Sequence, residues 1–143
     1  MQKVFIVAAK RTAVGSFLGT LKNVHPADLG AVLVKDVLQS NKLNGTELDE
    51  VIIGNILSAG LGQGIGRQIA VKGGVHESIP AYSLNMLCGS GMKAVLNAYT
   101  SISAGVHHLV LAGGVESMSR APFLLNENVR GGMKMGDVVA RDH

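Results

Sequence analysis

Apolar residues in this chain fall in short unbroken runs rather than in strict alternation. Val4-Phe5-Ile6-Val7-Ala8-Ala9 is the first, Val51-Ile52-Ile53-Gly54-Asn55-Ile56-Leu57 the second, Ala81 to Asn85 a third, and His107-His108-Leu109-Val110-Leu111-Ala112-Gly113 the fourth. Runs of this kind are expected of strands covered on both faces, as in a parallel sheet. Gly54 inside the second run points to a bulge or a close neighbour. Between the runs the period changes. Pro26 opens a stretch in which Leu29, Val32, Leu33 and Val37 recur three and four apart, which predicts a helix ending between Ser40 and Asn44, before Gly45. Ile65 to Lys72 predicts a short helix stopped by Gly73-Gly74, and Ser90 to Ala104 a third helix stopped by Gly105. Strand and helix alternating in this way predict an α/β fold, a mostly parallel sheet layered with helices and joined by right-handed crossovers.

From Glu116 onward no helix or strand period is sustained. Structureless stretches longer than roughly 15 residues are uncommon inside compact domains. The end therefore reads either as a mobile tail or as a chain cut inside a larger architecture. With 143 residues the expectation is one core.

Composition narrows the function classes. Charged residues are 16% and hydrophobic residues 47%, the balance of a chain that buries surface rather than a disordered one. Nineteen glycines, about twice the usual share, imply tight turns and close backbone contacts. Aromatic residues make up only 3%, too few for base-stacking platforms, and the 13 basic residues are spread among 10 acidic ones for a net charge of +3. No nucleic-acid partner is expected. A pI of 9.2 remains compatible with a phosphorylated small molecule. The first apolar run is too short for a signal peptide and no stretch approaches a membrane span, so neither secretion nor a membrane partner is expected. A single cysteine makes neither an internal disulfide nor a zinc cage, which suits a reducing, cytoplasmic setting.

That cysteine carries the candidate chemistry. Cys88, in Asn85-Met86-Leu87-Cys88-Gly89-Ser90-Gly91, falls between the third run and the third helix. Its sulfur would lie at or beside a helix N-terminus, where unpaired N–H groups favour thiolate over thiol. Gly89 and Gly91, with Ser90 between them, are read as removing bulk from the approach to the sulfur. The Cys88 N–H is a candidate donor to an oxyanion, and acyl transfer is the matching chemistry. Free cysteine is also a common small apolar filler of cores, and the two readings stand level on the residues alone.

Other motifs carry less. The loop Gly60-Leu61-Gly62-Gln63-Gly64-Ile65-Gly66 fails the dinucleotide fingerprint, because the third required glycine falls on Ile65 or Arg67; a tight turn that permits close chain packing is the expectation. His107 and His108, adjacent in an expected strand, would face opposite sides, His76 is a lone loop histidine, and no metal site is expected. Glu116-Ser117-Met118-Ser119-Arg120 follows a strand's C-terminal end, where α/β sheets bind ligands, although a solvated turn is the default.

Four blocks together resemble one family. Asn85-x-x-Cys88-Gly89-Ser90-Gly91 with Ala94 is similar to the acyl-enzyme motif of thiolases, the acetyl-CoA acetyltransferases. Lys10-Arg11-Thr12 with Gly15, Val110 to Pro122, and Lys134-Met135-Gly136-Asp137 agree in order. The resemblance implies the first of two similar mixed-sheet halves: a thiolase-like N-terminal domain over 1–117, and the start of a coenzyme-holding loop region over 118–143. It implies no permanently bound cofactor, with coenzyme A thioesters as substrates. Cys88 would accept an acetyl group from acetyl-CoA, and a second acetyl-CoA would then yield acetoacetyl-CoA, or the sequence would run backward on a 3-ketoacyl-CoA. The same resemblance implies a homo-oligomer, dimer or tetramer, in a parent well over twice this length. It assigns the remaining acid–base groups to a Gly-His-Pro histidine and a second cysteine in the C-terminal half, neither of which occurs here. His25-Pro26 imitates the first, but it follows Asn23-Val24 and opens a helix, so it is given no catalytic role. The fragment is expected to lack sustained turnover. The alternatives are an association module or half of a split enzyme, and a ketoacyl-synthase relative.

Overall fold

The computed structural model describes residues 3–125 and 127–143; Met1 and Gln2, the start of the expected 1–117 unit, and Asn126 lie outside the described residues. Three parallel strands, β1 (Glu50–Gly54), β2 (Ala81–Leu84) and β3 (Val110–Gly114), form a sheet in the order β2-β1-β3. Val51 pairs with Ala81 on one side and Leu111 on the other, and Gly54 pairs with Leu84 and Gly114, so the three C-terminal ends finish on one edge.

The run of β1 is continuous because both of its faces are covered. Val51 and Ile53 of β1 join a cluster with Val34 and Leu38 of α1 (Pro26–Ser40) and Ile65 and Ile69 of α2 (Ile65–Lys72). Ile52, pointing the other way as strand alternation requires, packs with Ala94 and Ala98 of α3 (Ser90–Ser103), flanked by Val110 and Ala112. Removing Ile52 and Ile69 from water, both about 1% exposed, contributes roughly 1.5–3 kcal/mol each. The helices end within a residue or so of their expected limits. α1 begins where Pro26 can occupy the first turn without a missing hydrogen bond, and Asp28 in that turn meets Lys72 Nζ at 2.5 Å, which holds its carboxyl below the usual range.

Three expectations are corrected. Val4–Ala9 belongs to no strand: none of β1, β2 or β3 takes it as a neighbour, and Phe5, Ile6 and Val7 are 74, 82 and 66% exposed. Apolar patterning prepares a segment for burial, but a strand also needs a ladder partner for its N–H and C=O groups. β1 stops at Gly54 rather than Leu57, because the Ile56 and Leu57 N–H groups donate to the Glu116 carboxylate instead of to a neighbouring strand. β3 starts at Val110 rather than His107, because the N–H groups of His108 and Leu109 donate to Asp49 Oδ2 at 2.6 and 2.9 Å. The two histidines therefore do not alternate across the sheet. His107 is partly buried, its Nδ1 3.8 Å from Glu50, while the His108 side chain is 83% exposed.

The segment after Glu116 is not wholly irregular. A 3-10 turn at Met118–Arg120 is followed by β4 (Phe123–Leu124), which pairs antiparallel with β5 (Arg141–Asp142). Leu18 N–H donates to Ser119 Oγ at 2.9 Å, and Arg120 Nη1 reaches Asn23 O at 3.4 Å, tying this turn to the N-terminal loop.

Candidate active site

Cys88 lies on the turn from β2 into α3 and its side chain is exposed, so the core-filler reading does not hold. The turn is closed by its own backbone: Gly89 N–H donates to Met86 O at 3.1 Å and Ser90 N–H to Leu87 O at 3.0 Å. Asn85 Oδ1 accepts the Leu87 N–H at 2.9 Å. Leu87 adopts φ +49°, a left-handed conformation that costs a non-glycine residue roughly 1–2 kcal/mol. Gly89 precedes the first residue of α3, no side chain caps that end, and no acidic residue occupies the first turn. No side chain therefore closes this end of the helix, which begins two residues after the cysteine.

Of the residues around the cysteine, Ser90 departs from its expected role, and the tightest packing falls on Gly54. An added Cβ at Gly54 would lie 2.5 Å from the Ser90 carbonyl carbon and 2.6 Å from Gly91 N, so α3 can start against β1 only because residue 54 has no side chain. Gly114 of β3 faces Gly91 in the same seat, its added Cβ 3.2 Å from Gly91 Cα. An added Cβ at Gly89 would meet Met86 Cε. Ser90 is not on the approach to the sulfur at all; it is 4% exposed and turned inward.

The other two strand ends are joined by Glu116. Its carboxylate accepts Asn55 Nδ2 and Ile56 N–H, both at 2.9 Å, and Leu57 N–H at 3.2 Å. The expected solvated turn is therefore a partly buried clamp between β1 and β3. Asn55 Nδ2 also donates to Val115 O at 3.1 Å. The glycine-dense loop that follows behaves as the packing reading expects: Gly60, Gly62 and Gly64 have φ of +74, +79 and +59°, and Gly66 sits against the Tyr82 carbonyl. His25, kept out of the chemistry, caps α1 by accepting the Ala27 N–H on Nδ1 at 3.1 Å.

The family model described as thiolase, N-terminal domain, matches residues 4–143. The chain belongs to the thiolase family. Relatives agree: a probable acetyl-CoA acyltransferase of Staphylococcus aureus (strain NCTC 8325 / PS 47) is 49% identical over 136 residues, and its counterpart in strain MRSA252 is 48% identical, each match covering 95% of this chain and 34% of the relative. The crystal structure of Acat5 thiolase from Ascaris suum in complex with coenzyme A is similar with a TM-score of 0.85 and 39% identity, over 92% of this chain and 34% of that one. This thiolase chain thus spans about a third of the length of the relatives it matches. The matches favour the thiolase reading over the ketoacyl-synthase alternative.

Depressions among the described residues lie beside the strand ends. One of about 350 Å³ lies between Thr12–Phe17, α1 and Gly114–Ser119; another, about 210 Å³, opens at the ends of β1 and β2 beside Asn55, Ser83 and Asn85. Cys88 lines neither and is exposed. Among the described residues no group of three or more His, Cys, Asp or Glu side chains converges as a metal site, and no helix is long and apolar enough to cross a membrane. Asn55 and Gly114 were given no part in the site from the sequence, since nothing local marks a polar or small residue as contacting a segment dozens of positions away.

Proposed function

We propose that this chain supplies the acyl-accepting cysteine of an acetyl-CoA C-acetyltransferase that forms or cleaves acetoacetyl-CoA and related 3-ketoacyl-CoA. One observation carries the reading: in a thiolase-family chain, the single cysteine is exposed on a strand-to-helix turn in front of an uncapped helix start. Sγ of Cys88, as thiolate, attacks the carbonyl carbon of acetyl-CoA. The carbon–sulfur bond to coenzyme A breaks, and the departing thiolate takes up a proton. A second acetyl-CoA then loses an α-proton to a base, its carbanion attacks the acetyl-cysteine carbonyl, a carbon–carbon bond forms, and Sγ leaves as thiolate. The Cys88 N–H, which no carbonyl of the turn takes up among the described residues, is a donor for the oxyanion of the first step.

The Gly-His-Pro histidine and the second cysteine that the resemblance assigns as the acid–base groups do not occur in these 143 residues. The only cysteine is Cys88, and His25 is committed to a helix cap. The chain alone is therefore expected to accept an acetyl group without sustaining turnover. Residues 118–143 are proposed as the start of the loop region that holds coenzyme A, and the protein as a cytoplasmic homo-oligomer that retains no permanent cofactor. The test is to incubate the protein with acetyl-CoA and map the acetyl adduct by mass spectrometry. The adduct is expected on Cys88 and is lost in Cys88→Ser. An unmodified Cys88 would overturn the reading, and efficient acetoacetyl-CoA synthesis by the 143-residue chain would overturn its incompleteness.

A second reading, an association module that acts with a separate polypeptide, is favoured by the exposure of Phe5, Ile6 and Val7 without a strand partner. Co-purification with a chain carrying a Gly-His-Pro motif and another cysteine supports it, and a stable isolated monomer counts against it.

A further inference from the structure

Ser90 is a buried polar residue whose hydroxyl is spent entirely on the cysteine-bearing turn. Oγ accepts the Met86 N–H at 2.8 Å and donates to Leu87 O at 2.6 Å. The two bonds grip both ends of the Met86–Leu87 unit from the core side, while Asn85 Oδ1 holds the Leu87 N–H from the solvent side. Between these grips Leu87 is left-handed at φ +49° with its side chain 68% exposed, so its own packing gives little reason for the conformation. A leucine in that region relaxes to an ordinary backbone unless its surroundings prevent it. Relaxation at 87 would swing the next residue, Cys88, relative to the start of α3.

We infer that Ser90, assisted by Asn85, is a positioning residue that holds Leu87 left-handed and thereby sets the orientation of the next residue, Cys88, its Sγ and its backbone N–H together, for acyl transfer. The inference rests on the proposed acceptor role of Cys88. The glycine seat explains why the hydroxyl can reach. Without a side chain at Gly54, the first residue of α3 lies against the end of β1, and its Oγ reaches back under the turn.

The experiment compares two reactions of Cys88 in the full chain: acetylation by acetyl-CoA, which needs an aligned oxyanion donor, and alkylation by iodoacetamide, which does not. In Ser90→Ala the ratio of acetylation to alkylation rate is expected to fall by about tenfold or more, a loss of the size small misplacements cause. Adding Leu87→Asn, a residue that tolerates left-handed φ, is expected to restore most of the ratio. Asn85→Ala, which removes an exposed contact, is expected to lower the ratio in the same direction and keeps the inference testable if Ser90→Ala does not fold. An unchanged ratio in a folded Ser90→Ala protein or in Asn85→Ala, or a lowered ratio that Leu87→Asn fails to restore, would overturn the positioning role. A wild-type chain that alkylates but never acetylates would instead overturn the acceptor role of Cys88.

Discussion

At the scale of single residues, the polar groups that shape the site are those that take backbone hydrogen bonds away from regular structure. Glu116 is the clearest. It accepts two N–H groups just past β1 and the Asn55 carboxamide, and so ends one strand while fastening it to another. Glu116→Ala leaves those donors without a charged acceptor. It is expected to lower stability by about 2–3 kcal/mol, read as a fall in urea midpoint with unchanged slope. The place of Cys88 on a strand-to-helix turn was legible in the sequence because a strand-like run, glycines and a helical period follow one another locally. Glu116 was not, because its partners lie about sixty positions away and its neighbours suggest only a polar turn.

At the scale of elements, the helix-bearing faces of the sheet were readable from periodicity, but which glycines are indispensable was not. Gly54 and Gly91 look alike in sequence and differ in the fold. A methyl group at Gly54 would press on the α3 backbone at 2.5 Å, whereas one at Gly91 has nothing nearer than 3.8 Å. Gly54→Ala is therefore expected to destabilise by about 1–3 kcal/mol and to slow Cys88 acetylation by moving the helix start. Gly91→Ala is expected to be neutral or stabilising by up to about 1 kcal/mol, since alanine is the better helix former. Thermal melts of the two variants side by side check the ordering, and equal losses would contradict the seat geometry.

At the scale of the whole molecule, acid response and exposed surface are the testable properties. The His108 and Leu109 N–H groups, in that order of effect, hold the Asp49 carboxyl below its ordinary value. A carboxyl whose acidity is raised by folding contributes stability above its unfolded value near pH 4 and loses it as pH falls through the lower folded value. Stability is therefore expected to decline below about pH 4, and Asp49→Asn is expected to flatten that limb while lowering the neutral plateau. Urea midpoints from pH 2 to 7 check both. The apolar residues 5–7 predict binding of a hydrophobic dye by the isolated chain, reduced in Ile6→Lys; equal fluorescence from both proteins would show that the run is covered by something other than its own neighbours.

The sequence by itself determined the α/β alternation, the three helices nearly to the residue and, through its motifs, the family. These rest on local patterns: period, capping, glycine punctuation and a short motif. Tertiary structure alone decided that Val4–Ala9 stands outside the sheet, that β1 and β3 are trimmed by the carboxylates of Glu116 and Asp49, and that Ser90 faces inward to grip the turn. The trimming of β1 and β3 is a choice of hydrogen-bond partner between segments about sixty positions apart, while Ser90, whose partners are three and four residues away, is turned inward by the packing of α3 on β1. No local preference encodes which partner arrives, because a backbone amide accepts any well-placed oxygen.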